Sequence, residues 1–336
     1  MEAGARLYQM ILGYRGMQII RTAALLRICD ELAEGPLAPS ALATRVHVDA
    51  ALLGRLLKAL AALGVLTEAE DGRFANAEMG SLLRGDVEGS LRSTAIGMGE
   101  DSSWKAWGEL PRATSSGGVP YERSAGRTFW QEMADDPAMA ARFNSFMSGR
   151  AEIFAPQLLR QFDFSGARHI VDVGGGVGAL LASILQAHPR AHGTLFDLPA
   201  GLAGAPAYLR ARGVEGRCTL VAGSFFDSVP TGADVYILRD ILHDWPDERA
   251  AEILRACRSA MSPGAELLII DAVLPARATD DPAALTKFLY DINMFVLFGA
   301  RERTEQELRR MLEAAAFTAD RLLWTEPTAT LVATAS

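Results

Sequence analysis

The stretch Val171-Asp172-Val173-Gly174-Gly175-Gly176-Val177-Gly178 restricts the fold more than any other part of the chain. The run His169–Val173 reads as a buried strand, the glycines as a tight turn, and Ala179–His188 as a helix. Glycine lets the backbone turn sharply and lets a ligand approach it without a Cβ in the way. The chain keeps this rhythm afterwards. Thr194–Phe196, Thr219–Val221, Val235–Leu238 and Leu267–Ile270 read as strands, with helices at Ala205–Arg212 and Glu248–Met261 between them. Alternation at this spacing predicts a parallel sheet with helices on both faces. Arg321–Trp324 and Thr330–Ala333 are two further strands joined through a Pro-containing connection, which predicts an antiparallel finish.

In an open α/β sheet the glycine turn lies at the carboxyl end of the first strand, where ligands bind. Asp197 follows Gly176 by 21 residues, at the end of the second strand. A carboxylate there suits two ribose hydroxyls, because it accepts two hydrogen bonds. The glycines run Gly174-x-Gly176-x-Gly178, and the third glycine of the dinucleotide fingerprint is missing at Ala179. No pyrophosphate has to be cradled, so the pattern points to a mononucleoside.

The 336 residues suit two domains, and 49% apolar residues suffice for a sizeable core. Residues 1–100 read as mostly helical. From Asp49, a plausible N-cap, the stripe Leu52, Leu53, Leu56, Leu57, Leu60 and Leu63 runs to a stop at Gly64. Val65–Thr67 and Arg73–Ala75 flank Asp71-Gly72, a hairpin signal. Helix, helix, hairpin is the winged-helix pattern, which raises DNA binding. The net charge of −8 and a second helix carrying only Arg55 and Lys58 argue against nucleic acid as a partner. The apolar stretch from Tyr8 to Leu26 instead predicts a packing or dimerisation module. Residues 101–165 read as a helical connector with a loop at Ser115–Gly118. Its stripe of Phe143, Phe146, Met147 and Phe154 is core or pocket lining. Residues 166–336 form the α/β domain. No apolar run is long enough to span a membrane, and three isolated cysteines predict free thiols and a cytoplasmic protein.

The series Phe196-Asp197-Leu198-Pro199, Gly223-Ser224-Phe225-Phe226 and Leu242-His243-Asp244-Trp245, behind the glycine loop, resembles the caffeic-acid-type small-molecule O-methyltransferases. The resemblance covers nearly the whole chain. It implies a Rossmann-like methyltransferase sheet, an N-terminal winged-helix dimerisation domain, a homodimer, S-adenosylmethionine (SAM) as cofactor and no metal. It further implies that Gly174 and Gly176 hold the methionine part of SAM. Asp197 would take the ribose hydroxyls with Leu198 beside it, Gly223, Ser224 and Phe225 would meet adenine, and Arg239 would contact the adenosine side. His243 matches the family's general base, with Asp271 and Glu302 as the acids that orient it. Asp244 and Asn293 match substrate-touching positions, and Phe143, Met147, Met294, Phe146 and Phe295 would complete an apolar pocket. Two positions depart from the family: Ser224 stands where Asp is usual, and Asp271 is one methylene shorter than the plant enzymes' Glu.

The chemistry agrees. A phenol is mostly protonated at neutral pH, so a neutral imidazole is a sensible base, and flanking carboxylates fix its tautomer and stabilise the imidazolium. The expected function is methyl transfer to a hydroxyl of a small aromatic or polyketide-like molecule. Transfer to nitrogen or carbon, and hydroxylation or pericyclic chemistry on the same scaffold, are alternatives. A ligand-sensing DNA-binding regulator is a third. Asp240, Asp244, Asp247 and Asp271 resemble a hard-cation set, but Asp244 and Asp247 stand where a helix opens and acids favour its dipole. His47, His169, His188 and His192 are scattered, and no Gly-x-Ser-x-Gly elbow signals a hydrolase.

Overall fold

The strand–helix alternation of the C-terminal half closes into one seven-stranded sheet in the computed structural model, which describes residues 3–87, 89–325 and 328–336. The chain divides into two units, Met1–Asp101 and Ser102–Ser336.

In the first unit, α1 (Ala3–Leu25) is followed by α2 (Pro39–Val46), α3 (Ala50–Ala62) and the antiparallel pair β1 (Leu66–Glu68) and β2 (Phe74–Asn76). Asp49 caps α3 by accepting the Leu52 N–H at 2.8 Å, and Gly64 ends it. The buried stripe is Leu53, Leu57 and Leu60, narrower than expected, since Leu52 and Leu63 stay exposed. The hairpin begins one residue later than predicted because the Val65 N–H closes the helix on the Leu60 carbonyl. Along α1, Leu7, Tyr8, Met10, Ile11 and Tyr14 are at least half exposed.

The second unit opens with helices that include Leu110–Ser116, α4 (Phe129–Asp135) and α5 (Pro137–Gln161). Ser115 and Ser116 are its last helical residues, their hydroxyls on the carbonyls four back, and the break comes only at Gly117. The sheet then forms from β3 (His169–Val173), α6 (Ala179–Ala187), β4 (His192–Asp197), α7 (Ala205–Ala211), β5 (Cys218–Ala222), β6 (Val235–Arg239), α8 (Asp247–Ala260) and β7 (Glu266–Asp271). After these come α9 (Pro282–Phe298), α10 (Glu305–Ala314), β8 (Phe317–Thr325) and β9 (Thr328–Ala335). The strand order is β8-β9-β7-β6-β3-β4-β5, with β9 antiparallel to β7 and to β8 and the rest parallel. The expected antiparallel finish is present and longer than predicted. Pro327 in its connection lies outside the described residues.

The strands read as apolar runs because helices cover both faces. Val171, Val173, Tyr236, Leu238, Leu267 and Ile269 pack on one face. Ile170, Val235, Ile237, Leu268 and Ile270 pack on the other. Strand order reverses at β3, which pairs with β4 on one side and β6 on the other, so the glycine turn after β3 opens into the crevice where such sheets bind ligands.

Candidate active site

Gly174 leaves β3 at φ 72°, and a Cβ there would lie 2.4 Å from Ile241 Cδ1. A Cβ on Gly175 would lie 2.5 Å from the Asp172 carboxylate. Only glycine fits these two positions, and the bare backbone becomes one wall of a cavity of about 420 Å³. Asp197 stands opposite at the end of β4. Its Oδ2 accepts the Gly176 N–H at 2.7 Å and its Oδ1 accepts the Leu198 N–H at 2.6 Å. Each oxygen keeps a lone pair for a further donor. Burial raises this carboxyl's pKa, and the two N–H bonds oppose the rise.

Two other kinds of wall complete the cavity. Gly223, Ser224, Phe225 and Phe226 follow β5. Trp130, Phe143, Met147 and Trp245 make an aromatic end, where the Trp130 ring stacks at 5.9 Å on Trp245 and at 5.2 Å on Phe298. Arg239 and Asp244 also line it. The Arg239 guanidinium pairs with Asp240 at 2.9 Å and lies over the Phe154 ring.

Behind Asp244 lies His243, in a 3₁₀ turn after β6. Its Nδ1 is 2.8 Å from Glu302 Oε1 and 4.0 Å from Asp271 Oδ1, and its Nε2 is 3.5 Å from Asp244 Oδ1. All four side chains are buried. Burial works against a charged ring, but Glu302, Asp271 and Asp244 outweigh it and hold the His243 pKa well above the ordinary value. Burial pushes the Asp244 carboxyl up to about 8, aided by Asp240, Asp271 and Glu302 and opposed by His243. Asp271 is raised as well, chiefly by burial, with His243 opposing. Burial would also raise Asp240, but Arg239, Arg150 and His243 hold its pKa down. A proton on Nδ1 satisfies Glu302 and leaves Nε2 as the nitrogen that exchanges protons.

The loop is held from below. Arg303, fully buried, donates to the Leu242 carbonyl at 2.7 Å, to the Trp245 carbonyl at 2.8 Å and to Asp247 at 3.0 Å. Asp240, His243 and Asp271 each bring an oxygen or ring nitrogen within 4.8 Å of the others. The Asp240 carboxylate is already matched by Arg239 and Arg150, and Asp247 pairs with Arg301 and Arg303, so a cation would have to break existing ion pairs.

Gly174, Gly176, Asp197, Leu198, Gly223, Ser224, Phe225, Arg239, Phe143, Met147 and Asp244 therefore share one cavity, as the sequence led us to expect. His243, Asp271 and Glu302 gather beside it rather than on its wall. Asn293 and Met294, on α9, do not line this cavity. Asn293 accepts from the Trp107 indole at 3.2 Å, and Met294 is buried. Phe146 and Phe295 are also off the wall. Sequence reasoning missed Asp172, Asn144, Trp130 and Arg249, all on the lining. Asp172 was the recoverable one, an acid in an apolar strand directly before the glycines. Burial pushes its pKa up to about 7. Asn144, which donates to the Ala200 and Gly201 carbonyls, sits in a helix with no local signal.

Residues 107–318 match the O-methyltransferase domain family, and residues 8–86 match the O-methyltransferase dimerisation domain family. A phenazine O-methyltransferase of Lysobacter antibioticus is 38% identical over 94% of this chain and 92% of its own. A mitomycin biosynthesis 6-O-methyltransferase of Streptomyces lavendulae is 35% identical over 90% of this chain and 86% of its own. The crystal structure of LaPhzM superposes with a TM-score of 0.94, 35% identity and full coverage of both chains. Among more distant relatives is an aclacinomycin 10-hydroxylase of Streptomyces purpurascens, 32% identical over 86% of this chain and 78% of its own.

Proposed function

Because the chain belongs to the O-methyltransferase family, we propose that His243 is the general base for methyl transfer to a hydroxyl of a small aromatic natural product. The protein is an S-adenosylmethionine-dependent O-methyltransferase. One observation carries the site assignment: a glycine-walled cavity with an acid for a ribose at one end meets, at its aromatic end, a loop bearing a histidine bonded to a buried glutamate.

The cavity suits the cofactor. Gly174 and Gly176 hold the positive φ that bares the turn's backbone to the cavity, and both Asp197 oxygens keep capacity for ribose hydroxyls. S-adenosylmethionine, when bound, supplies a methyl group on a positively charged sulfur. The chain's own residues do the rest. Glu302 keeps the Nδ1 proton of His243 in place, and Nε2 takes the proton of the acceptor hydroxyl. The deprotonated oxygen would then face the methyl group that a cofactor held by Gly174, Gly176 and Asp197 would supply. Asp271 and Glu302 stabilise the resulting imidazolium. Trp130, Phe143 and Met147 hold a flat apolar ring, and the enclosed geometry supplies roughly 7–11 kcal/mol of the barrier reduction at best.

We read the assembly as a homodimer formed through the dimerisation domain, with the exposed apolar side of α1 in the contact. We read its location as cytoplasmic, with the three cysteines unpaired. Among the described residues no helix is long and apolar enough to cross a membrane. The 10-hydroxylase among the relatives keeps hydroxylation open as a second activity. Methyl-labelled cofactor with a panel of polycyclic phenols separates the two. Label in an extracted product, with most of the rate lost in His243→Ala, supports the base. Cofactor binding with oxidised, unlabelled product supports the second activity.

A further inference from the structure

Arg150 is a largely buried cation that the mechanism leaves unused, its side chain 20% exposed. α5 puts Met147, Ser148 and Ala151 on the cavity wall and turns Arg150 towards α9. The guanidinium carbon lies 5.7 Å from the centre of the Phe146 ring on α5 and 5.3 Å from that of Tyr290 on α9, so a ring from each helix holds the group in place. Burial works against its charge, but Asp240, Tyr290, Glu302 and Asp244 outweigh it and hold its pKa up. Glu302 and Asp244 are the acids at the two ring nitrogens of His243. Arg150 therefore belongs to the same group of charges as the base.

The protein gives this guanidinium little to bond. Its Nη2 donates to Asp240 Oδ1 at 3.5 Å, the outer limit for such a bond. Asp240 does not depend on it, because Arg239 pairs with the same carboxylate at 2.9 Å. Among the described residues the other N–H groups of Arg150 meet no acceptor, and Nε and Nη1 both reach accessible space. Donors that are ordered and partly desolvated need partners, and these have to come from outside the chain. A guanidinium fork matches the paired lone pairs of a carboxylate or carbonyl oxygen, whereas a bare hydrocarbon ring leaves it unmatched.

We propose that Arg150 determines specificity by binding a carbonyl-type oxygen, of a carboxylate or of a neutral carbonyl, carried on the substrate's aromatic ring beside the hydroxyl that is methylated. The inference rests on the reading of His243 as base, which puts that hydroxyl at Nε2, and adds the substituent that sets it there. A ring without the oxygen displaces water from the fork and returns no bond, so it is selected against.

Titration calorimetry of the protein saturated with S-adenosyl-L-homocysteine tests it with three probes on one ring: 2-naphthol, 3-hydroxy-2-naphthoate and 3-hydroxy-2-naphthamide. At least one of the two oxygen-bearing probes binds about tenfold or more tighter than 2-naphthol, and which one does so tells an anionic oxygen from a neutral one. Arg150→Met brings that preference to within about twofold. Arg150→Lys keeps a charge beside Asp240 but loses the fork, and cuts the preference at least about threefold, which serves if the methionine variant does not fold. Equal affinity for the three probes in the wild type overturns the proposal and leaves His243 untouched. So does a preference that survives while all three probes weaken alike, the mark of a merely structural arginine. No heat with any probe overturns the proposal together with the aromatic-substrate reading. Methyl transfer to a probe that survives His243→Ala overturns the base assignment, and with it the placement of the hydroxyl on which the proposal rests.

Discussion

His243 touches an acid at each ring nitrogen, which fixes how it must work. Glu302 bonds Nδ1 at 2.8 Å and Asp244 lies 3.5 Å from Nε2, so the surrounding carboxylates favour the charged ring and hold its pKa above the ordinary value. The rate should therefore climb with pH through a limb above the ordinary histidine pKa. Glu302→Gln removes a strong influence that raises that pKa, and should move the limb of kcat/KM to lower pH while lowering the plateau. A pH–rate profile that keeps its limb would overturn the role of Glu302. His243→Ala should cost about 10²–10⁴-fold in kcat with cofactor affinity kept, as single-turnover rates and calorimetry would report. Stability carries the same sign. The folded pKa values of His243 and Asp244 both lie above their unfolded values. The His243 contribution is full at acid pH and fades as pH rises through its folded pKa. The cost of burying Asp244 grows from the ordinary carboxylate range up to about 8. Asp244→Asn should flatten the fall in Tm between the ordinary carboxylate range and about pH 8, and an unchanged slope there would refute this.

α10 and the strands beside it explain why Glu302 sits where it does. Thr304 caps α10, accepting the Glu307 N–H while Glu307 answers the Thr304 N–H at 2.9 Å. The cap stops the chain just past Glu302, whose own N–H is held by Asp291 at 2.9 Å from α9. Thr304→Ala should cost about 1 kcal/mol in chemical denaturation. Arg303, in the same stretch, ties together the Leu242 and Trp245 carbonyls on either side of His243. Arg303→Met leaves those buried carbonyls unpaired, so kcat should fall further than the change in cofactor Kd. The glycine turn is equally strict. Gly175→Ala drives a methyl into the Asp172 carboxylate and Leu195 and should abolish cofactor binding in calorimetry.

For the assembly, the apolar side of α1 leaves Leu7, Met10 and Ile11 about 60% exposed, more contiguous apolar surface than a lone helix keeps in water. Ile11→Asp with Leu7→Asp should shift light scattering from dimer to monomer, and a dimer that survives both places the contact elsewhere. The net charge of −8 predicts no gel shift with duplex DNA at physiological salt, despite the helix–helix–hairpin order of the first unit.

Local pattern was enough for the sheet, the glycine turn and much of the cavity wall. Strand period, helix period and a glycine with no room for a Cβ are properties of a few neighbouring residues, and Asp197 follows from its distance along the chain. The edges were less legible. Leu52 and Leu63 match the helical period yet stay in solvent, because which side of a stripe is buried depends on what packs against it. Asn144 and Trp130 reach the cavity from helices with no local signal for it, and Arg249 follows the His243 motif closely, yet only packing turns it onto the lining. The family pattern paired His243 with Glu302, 59 residues away. Only the packed structure decides that the glutamate lies at bonding distance and Asp271 at 4.0 Å, and that Asp244 lines the cavity while its neighbour His243 does not. Those distances come from how α9, α10 and the end of β7 pack together, and the raised pKa of the histidine follows from the carboxylates this packing gathers around it, against the cost of its burial.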